Sequence, residues 1–355
     1  MSSETSYRVW TFSTPARVIT GAGGLAALPD ELAQLGAERV FVVSTRSLSS
    51  HVKEIEALIG SAHIGTYSTI RQHTPSRDVD EAVQRAQGCD ALVAFGGGSV
   101  VDATKAIAHA LGKRKPPQIT IPTTLSSGEF TPFAGVTDES TRRKGGVYDP
   151  DIIPRVIIHD PDVTRHTPES LWLSTGMRAI DHALETLWAR NPHPYSDTLA
   201  AEALRLLWLR LPESRDPDAS EVRADCMLGS WLSISGILNV GTRLSHPLGH
   251  QIGSFWNVPH GVTSCIALPA VMRFLADRTQ PAQQRIADIF GVATPAKAAD
   301  ALERFIADLG VPTRLRDAGA VRDEIPQVAQ AARDELASLG SDDLDAVQTL
   351  LESMW

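Results

Sequence analysis

The chain has 355 residues, with 33 Lys+Arg against 42 Asp+Glu, a formal net charge of -9 and 43% hydrophobic residues. This composition is typical of a globular chain long enough for two domains, and the acidic balance argues against a nucleic acid or a membrane surface as partner. The three cysteines, Cys89, Cys226 and Cys265, are too few and too scattered for a disulfide framework or a Cys-x-x-Cys zinc site.

The first 160 residues alternate short β-branched runs with helical stretches, and Gly or Pro marks each break. This alternation is typical of a doubly wound, parallel α/β sheet, so we expect a dinucleotide-binding domain over 1–160. The predicted strands are 17–20, 39–45, 91–96, 118–123 and 155–160.

Long Ala/Leu/Glu/Arg segments replace the strands after residue 160. Apolar residues recur at three- and four-residue spacing, as at Leu199, Ala203 and Leu207, which favours an all-α domain over 161–355. The tail 338–355 is predicted to form a terminal helix that Ser341 and Asp342 cap. The absence of a run of about 18 apolar residues or an export signal favours a cytoplasmic protein.

Gly96, Gly97, Gly98 and Ser99 directly follow a predicted strand and open a predicted helix. Glycines allow the backbone to approach a phosphate, and the N–H groups of the helix start bind the anion, so a dinucleotide pyrophosphate is the expected ligand. A tight structural turn is the alternative, because the spacing is not Gly-x-Gly-x-x-Gly. The turn at residues 21–24 leaves the same two interpretations open, at about equal weight.

The strand that ends at Thr45 bears on the choice between NADH and NADPH. A carboxylate at this point accepts ribose hydroxyls and repels a 2′-phosphate, whereas here Arg46 follows Thr45. We therefore predict that NADPH is used alongside NADH.

Three histidines, His246, His250 and His260, lie within fifteen residues of sequence, and a predicted helix places Arg178 and His182 on one face. A single imidazole is usually an ordinary core or surface residue. Several together favour a site that binds a metal or transfers protons.

With these residues the chain resembles the iron-containing (group III) alcohol dehydrogenase family over nearly its whole length, most closely its maleylacetate reductase branch. The family pattern GGGSxxDxxK is matched at residues 96–105, a PTT cofactor loop begins at Pro122, and HPLGHQIGSFWNVPHG matches the branch in spacing. The candidate cofactor-binding residues are Gly96, Gly97, Gly98, Ser99, Asp102, Thr123, Thr124, Ser127, Thr45 and Lys144.

The resemblance implies a metal site of one Asp and three His, on His182, His246 and His260, but the Asp position holds Arg178. A guanidinium cannot ligate a metal and repels one, so iron or zinc is not expected on the family's pattern. Three imidazoles can still bind zinc in principle, which leaves metal binding open. The neighbouring Asp181 is expected to face another direction.

The resemblance also implies the activity: an NAD(P)H-dependent reductase that converts an unsaturated oxo-dicarboxylate to a 3-oxo acid, 3-oxoadipate, in aromatic-compound degradation. His250 and His246 would donate protons or stabilise an enolate. Arg178 and Arg243 would bind substrate carboxylates. For Arg178, an ion pair with Asp181 or Glu185 is an equally weighted alternative.

The nearest competing hypothesis is a metal-dependent alcohol dehydrogenase or aldehyde reductase acting on a small uncharged substrate. A lyase or synthase of the same fold that uses NAD transiently, and a degenerate cofactor-binding protein without turnover, are further alternatives. Family analogy favours a homodimer with a small anionic substrate.

Overall fold

The computed structural model describes residues 15–112, 115–140, 143–340 and 343–355, with the backbone alone for residues 143 and 144. The strands are β1 Arg17–Thr20, β2 Val40–Val43, β3 His63–Tyr67, β4 Ala91–Gly96, β5 Gln118–Pro122, β6 Phe133–Asp138, β7 Arg143–Tyr148 and β8 Val156–His159. Six of them form a parallel sheet in the order β1-β8-β5-β4-β2-β3, and β6 and β7 form a separate antiparallel hairpin.

The four inner strands are buried along their full length because helices cover both faces of the sheet. Side chains alternate between the two faces: Val42 and Val93 belong to one apolar cluster, and Phe41 and Leu92 belong to the other. This two-sided burial explains the nearly continuous apolar composition of these strands.

All five predicted strands are present, with ends that differ by up to two residues. β3 and the β6–β7 hairpin were not predicted from the sequence. β3 lies at the sheet edge, is only partly buried and contains Gly65, whereas the hairpin contains Gly135, Gly145 and Gly146, so neither shows the apolar run of an inner strand.

The helices of the described residues carry the rest of the fold. They are α1 Leu28–Gln34, α2 Ser49–Ile59, α3 Ser76–Arg85, α4 Gly98–Ala110, α5 Glu169–Leu187, α6 Pro194–Arg210, α7 Ser220–Val240, α8 Ser245–Trp256, α9 His260–Phe274, α10 Gln280–Ile289, α11 Pro295–Asp308, α12 Ile325–Ser338 and α13 Val347–Ser353. The α/β part is thus followed by a helical part, as the change in composition predicts.

Helix α5 lies at the centre of the helical part and is buried over nearly its whole length. It packs against α6, α7 and α9, and its apolar side chains form the core that these helices share. The terminal segment holds α13 and the end of α12 rather than one continuous helix, and the predicted cap at Ser341 and Asp342 lies outside the described residues. No helix in the described ranges combines the length and apolar character needed to cross a bilayer.

Candidate active site

A cavity of about 1920 Å³ lies between the carboxyl edge of the parallel sheet and the helical part. The glycine turn, defined as residues 96–99, contributes Gly97, Gly98 and Ser99 to its lining. The imidazole cluster, defined as His246, His250 and His260, lines it from α8 and α9. The cavity therefore joins the two groups of residues that the sequence analysis selected separately.

The glycine turn has a backbone that only glycine can form. Gly96 has a φ of 155°, and a Cβ at this position would lie 2.7 Å from the Val100 side chain. Helix α4 begins at Gly98, so its free N–H groups and positive dipole end lie at the cavity. These residues fit an anionic group such as a dinucleotide pyrophosphate.

The cofactor-loop residues divide into those that line the cavity and those that do not. Thr124, Asp102 and Thr45 line it. Gly96, Thr123 and Ser127 are absent from the lining, which corrects our expectation that these three contact the cofactor directly. The Ser127 hydroxyl is buried and donates to the Ser230 carbonyl at 3.0 Å.

The Thr123 carbonyl accepts a hydrogen bond from the Thr167 hydroxyl at 2.7 Å, so this residue ties the loop to the chain that leads into α5. Ser126 lines the cavity in place of Ser127. For Lys144 the side chain lies outside the described part of the structure.

Lys105 of the family pattern contacts the cofactor loop, which begins at Pro122, and does not line the cavity. Its ammonium is fully buried and donates to the carbonyls of Gly128, Thr131 and Phe133, the last two at 2.7 and 3.0 Å. Burial lowers the pKa of Lys105 to about 8. The residue therefore fastens the cofactor loop and the start of β6 to α4.

The second glycine turn, residues 21–24, has a partner within the protein. The Asp160 carboxylate accepts hydrogen bonds from the backbone N–H groups of Gly23 and Leu25, at 3.3 and 2.9 Å. Since this carboxylate occupies the donors that a phosphate would need, the structure favours the structural-turn interpretation here.

The imidazole cluster is compact. Its ring centroids are separated by 4.8 Å between His246 and His250, 5.1 Å between His250 and His260, and 5.6 Å between His246 and His260. One nitrogen of each ring lies within 4.8 Å of the others. By distance alone these three rings could hold a metal ion.

The guanidinium of Arg178 lies among these rings. Its Nη2 atom is 2.6 Å from Nε2 of His246 and 2.6 Å from Nε2 of His260. Its Nη1 atom donates to Asp181 Oδ2 at 2.9 Å and to Ser264 Oγ at 3.1 Å. The side chain is 4% exposed, so this cation is held inside the protein.

These contacts fix the tautomers of two imidazoles. A guanidinium donates hydrogen bonds and never accepts them, so Nε2 of His246 and Nε2 of His260 must both be acceptors. Both rings are then neutral, with the proton on Nδ1. In this arrangement His246 cannot donate a proton from Nε2. Of the two roles that we expected for His246, proton donation from this atom is therefore excluded.

The same contacts decide how well a metal fits. A zinc ion shared by His246 and His260 would lie about 2.0–2.1 Å from each Nε2. Nη2 of Arg178 is 2.6 Å from both atoms and is positively charged, so it takes the space and repels a cation. The residues present therefore do not fit a metal ion on this pattern.

Arg178 is at once an ion-pair partner and a residue that lines the cavity, so the two alternatives for it coexist. Asp181 is fully buried, and burial raises its pKa, while burial lowers the pKa of Arg178. Contrary to our expectation, the Asp181 carboxylate points toward the Arg178 guanidinium and accepts a hydrogen bond from it. Burial also holds the pKa of His182 well below its ordinary value, so this ring is neutral.

The four terminal N–H groups of Arg178 all have partners within the protein. The bidentate clamp on a substrate carboxylate that we expected would need two of them. The guanidinium instead contributes its charge and orients the imidazoles.

His250 differs from its two neighbours because its partner is a carboxylate. Its Nδ1 lies 2.8 Å from Oε1 of Glu335 on α12, and Gln251 donates to the other oxygen of Glu335 at 2.6 Å. The sequence analysis missed Glu335, Gln251 and Ser264. Gln251 lies within the histidine motif but was not selected, whereas no motif marks Ser264 or Glu335, and Glu335 is 85 residues from His250 in the chain.

Arg243, which we expected to bind substrate, does not line the cavity. Its guanidinium contacts the buried Asp343 carboxylate at 3.3 Å and the Trp188 carbonyl at 3.2 Å. The Glu185 carboxylate accepts from its backbone N–H, which fixes the direction of the chain. We therefore withdraw Arg243 as a substrate-binding residue.

Comparison with known proteins places this geometry in context. Residues 15–161 match the family profile described as iron-containing alcohol dehydrogenase, and residues 172–352 match the C-terminal profile of the Fe-containing alcohol dehydrogenase family. Together the two profiles cover most of the chain.

Individual relatives differ in the reaction for which they are named. A maleylacetate reductase from Burkholderia cepacia is 33% identical over 343 residues, 95% of this chain and 94% of that protein. A lactaldehyde reductase from Escherichia coli is 32% identical over 355 residues, 90% of this chain and 92% of that protein. The crystal structure of maleylacetate reductase from Rhizobium sp. strain MTP-10005 superposes with a TM-score of 0.86 at 29% identity, covering 98% of this chain and 99% of that one.

Proposed function

We propose that this chain, which belongs to the iron-containing alcohol dehydrogenase family, an oxidoreductase family, reduces maleylacetate or a closely related unsaturated oxo-dicarboxylate with NADH or NADPH. The product would be a 3-oxo dicarboxylate, 3-oxoadipate for maleylacetate, formed during aromatic-compound degradation. The observation that carries the proposal is the guanidinium of Arg178 between His246 and His260, where a metal-dependent dehydrogenase would need an open metal position.

The acceptor chemistry explains why this arrangement suits an enone. An alcohol dehydrogenase stabilises an alkoxide with a Lewis acid, whereas hydride addition to a carbon–carbon double bond conjugated with a ketone spreads the charge into an enolate. When bound, NADH or NADPH would supply the hydride that adds to the alkene carbon β to the ketone. The positive charge of Arg178, fixed beside the imidazole cluster, favours the developing enolate oxygen over the neutral ketone.

Besides the hydride, the reduction needs a proton, and we assign its delivery to His250. Glu335 accepts the Nδ1 hydrogen of this ring, so Nε2 is the atom that can exchange a proton with a ligand. A protonated His250 would donate from Nε2 to the carbon α to the ketone and complete the saturated product. Since Nε2 of His246 and Nε2 of His260 accept from Arg178, His250 is the member of the cluster left for this step.

An anionic substrate is further supported by charge near the cavity. Three arginines, Arg190, Arg243 and Arg278, contact the single buried carboxylate of Asp343. Arg190 is the member of this cluster that faces the cavity, so its charge would attract a substrate carboxylate.

The test is NADH oxidation by the purified protein with maleylacetate, lactaldehyde and 3-oxoadipate as acceptors, with product identification by NMR. We expect kcat/KM for maleylacetate to exceed that for lactaldehyde by about a hundredfold or more, roughly 2.7 kcal/mol of transition-state discrimination. Reduction of lactaldehyde at equal or higher efficiency would refute the proposal.

The alternative is a metal-dependent aldehyde reductase, which the lactaldehyde reductase relative favours. It requires activity that depends on iron or zinc. Activity lost on dialysis against a chelator and restored by either metal would support this alternative, whereas unchanged activity supports ours.

The residues after β2 bear on the choice between NADH and NADPH. Thr45 lines the cavity and donates its hydroxyl to the Ile70 carbonyl at 2.9 Å, and no carboxylate stands at this position. We propose that NADPH is accepted alongside NADH. A preference for NADH above about a hundredfold in kcat/KM would contradict this.

We further propose a cytoplasmic homodimer that needs neither a nucleic acid nor a membrane. The acidic net charge disfavours a nucleic acid or a membrane surface, and the free thiols of Cys89, Cys226 and Cys265 suit the cytoplasm. The dimer is proposed from family analogy. Light scattering of the eluting protein would test the dimer, and a monomer at micromolar concentration would refute it.

A further inference from the structure

The Arg178 guanidinium lies between two imidazole nitrogens, at a point where a metal ion could otherwise bind. A single nitrogen, Nη2, lies at equal distances of 2.6 Å from Nε2 of His246 and Nε2 of His260, two residues from different helices. Two imidazole nitrogens that converge on one point are the ligand geometry of a transition metal. Here a guanidinium nitrogen occupies that point.

The guanidinium cannot easily leave. Asp181 and Ser264 accept hydrogen bonds from Nη1. Ser264 Oγ also donates to Asp181 Oδ2 at 2.7 Å, so the two acceptors hold each other in position. Helix α8 passes close by, since a Cβ on Gly249 would lie 3.8 Å from Nη1. A metal could bind only by displacing a buried charge from its ion pair.

Charge balance explains why the site tolerates burial. Arg178 and Asp181 are both buried and together are neutral. If an aspartate replaced Arg178, buried carboxylates would stand at positions 178, 181 and 185, and a divalent cation would supply the positive charge that Arg178 now supplies. The replacement would also place a carboxylate one helical turn before His182, on the same face of α5.

We propose that the Arg178 guanidinium takes the place of a divalent metal ion in this protein, so that the wild-type site excludes metals and the single substitution Arg178→Asp creates a metal site. The ligands of the variant would be the introduced carboxylate with His246 and His260, and either His250 or His182 would complete the set. His182 supports the assignment, because its Nδ1 is buried without a hydrogen-bond partner in the described structure.

The experiment titrates Co²⁺ into apo-protein and follows both visible absorption and metal content after gel filtration. We expect Arg178→Asp to retain about one equivalent, and the wild-type protein to bind at least about a hundredfold more weakly. Co²⁺ should also raise the melting temperature of the variant and leave that of the wild-type protein unchanged.

Two matched variants separate the removal of charge from the gain of a ligand. Arg178→Asn has nearly the size of aspartate without its charge, and should bind Co²⁺ more strongly than wild type and more weakly than Arg178→Asp. If Arg178→Asp does not fold, Arg178→Asn against wild type decides the question. His246→Ala in the Arg178→Asp background should abolish binding.

Two outcomes would overturn the proposal. One is about one equivalent of Co²⁺ in the wild-type protein that is lost on His246→Ala. The other is binding by Arg178→Asp and Arg178→Asn that is no tighter than in wild type. No substrate enters these measurements, so failure of the proposed reductase activity would not change their result.

Discussion

At the scale of single residues, Arg178 determines what each imidazole can do. It makes acceptors of His246 and His260 through Nε2, whereas Glu335 accepts the Nδ1 hydrogen of His250. Three similar side chains within one cluster thus have two different chemical roles. The role of an imidazole here is set by its partner and not by its position in the motif.

The first prediction concerns His250. Replacement by alanine should lower kcat by about 10²- to 10⁴-fold, the usual contribution of a general acid, because no other ring of the cluster can donate from Nε2. The affinity for NADH should stay the same, as measured by quenching of protein fluorescence. His166→Ala is the matched control, since His166 is exposed and does not line the cavity. Unchanged turnover in His250→Ala would exclude the proton-donor role.

Sequence patterns selected residues that line the cavity and the Arg178–Asp181 ion pair, but not the partners that are distant in the chain. The glycine turn and the imidazole cluster are short-range patterns, so spacing along the chain was enough to select them. Ser264 and Glu335 contact Arg178 and His250 from α9 and α12, 86 and 85 residues away in the chain. Such contacts depend on helix packing, which no local pattern encodes.

At the scale of elements, the β6–β7 hairpin closes one side of the cavity. Thr137 of β6 donates its hydroxyl to the His73 carbonyl at 2.8 Å, and the backbone of His73 donates to Ser99 Oγ at 3.1 Å. The hairpin is therefore connected through one loop to the glycine turn. The hairpin was not predicted from the sequence because its glycines interrupt the apolar pattern of a strand. Inner strands such as β4 were predicted because burial on both faces requires apolar residues.

The hairpin gives the second prediction. Phe133 and Tyr148 stand next to each other with ring centroids 5.0 Å apart, are 52% and 63% exposed, and line the cavity. Exposed aromatic rings of this kind can stack on a flat nucleotide ring. The double replacement by alanine should raise KM for NADH by about tenfold and leave kcat and the melting temperature unchanged.

Initial-rate kinetics at saturating acceptor would measure this effect. Tyr195→Ala is the control, because Tyr195 is 47% exposed but lies outside the cavity lining. An equal rise of KM in both variants would show that the hairpin rings have no specific contact with the cofactor.

The base of the hairpin gives the third prediction, which concerns pH. Asp149 follows β7, and the Lys115 ammonium at 2.5 Å, with the backbone N–H of Asp151, lowers its pKa from 3.8 to about 2. A carboxyl group whose pKa is lowered by folding stabilises the protein above pH 3.8, and this contribution is lost as the pH falls through about 2.

Asp149→Asn should therefore reduce the free energy of unfolding at neutral pH, and the difference from wild type should close near pH 2. Urea denaturation over this range measures it. Asp151→Asn is the control: its carboxylate is 79% exposed, and exposed ion pairs contribute little. A difference from wild type that stays constant with pH would mean that the effect is not electrostatic.

At the scale of the whole molecule, the cofactor loop joins the two parts of the chain. Phe130 is 2% exposed and lies parallel to Trp231 of α7 with ring centroids 5.3 Å apart. It shares a small apolar cluster with Ile157 of the sheet and with Ile234 and Ile237 of α7. This cluster, separate from the cores of the two parts, couples the stability of the sheet to that of the helices.

The last prediction tests this coupling. Phe130→Ala and Phe290→Ala each remove a largely buried ring, and each should reduce stability by about 3–5 kcal/mol. Phe290 stacks on Trp208 within the helical core, so its loss should lower one cooperative unfolding transition without dividing it. Loss of Phe130 weakens the apolar cluster between the parts, although hydrogen bonds such as that from Ser127 to Ser230 remain, and should separate calorimetric unfolding into two transitions. Identical unfolding profiles for the two variants would mean that the parts are coupled elsewhere, because only a contact shared between them can change cooperativity as well as stability.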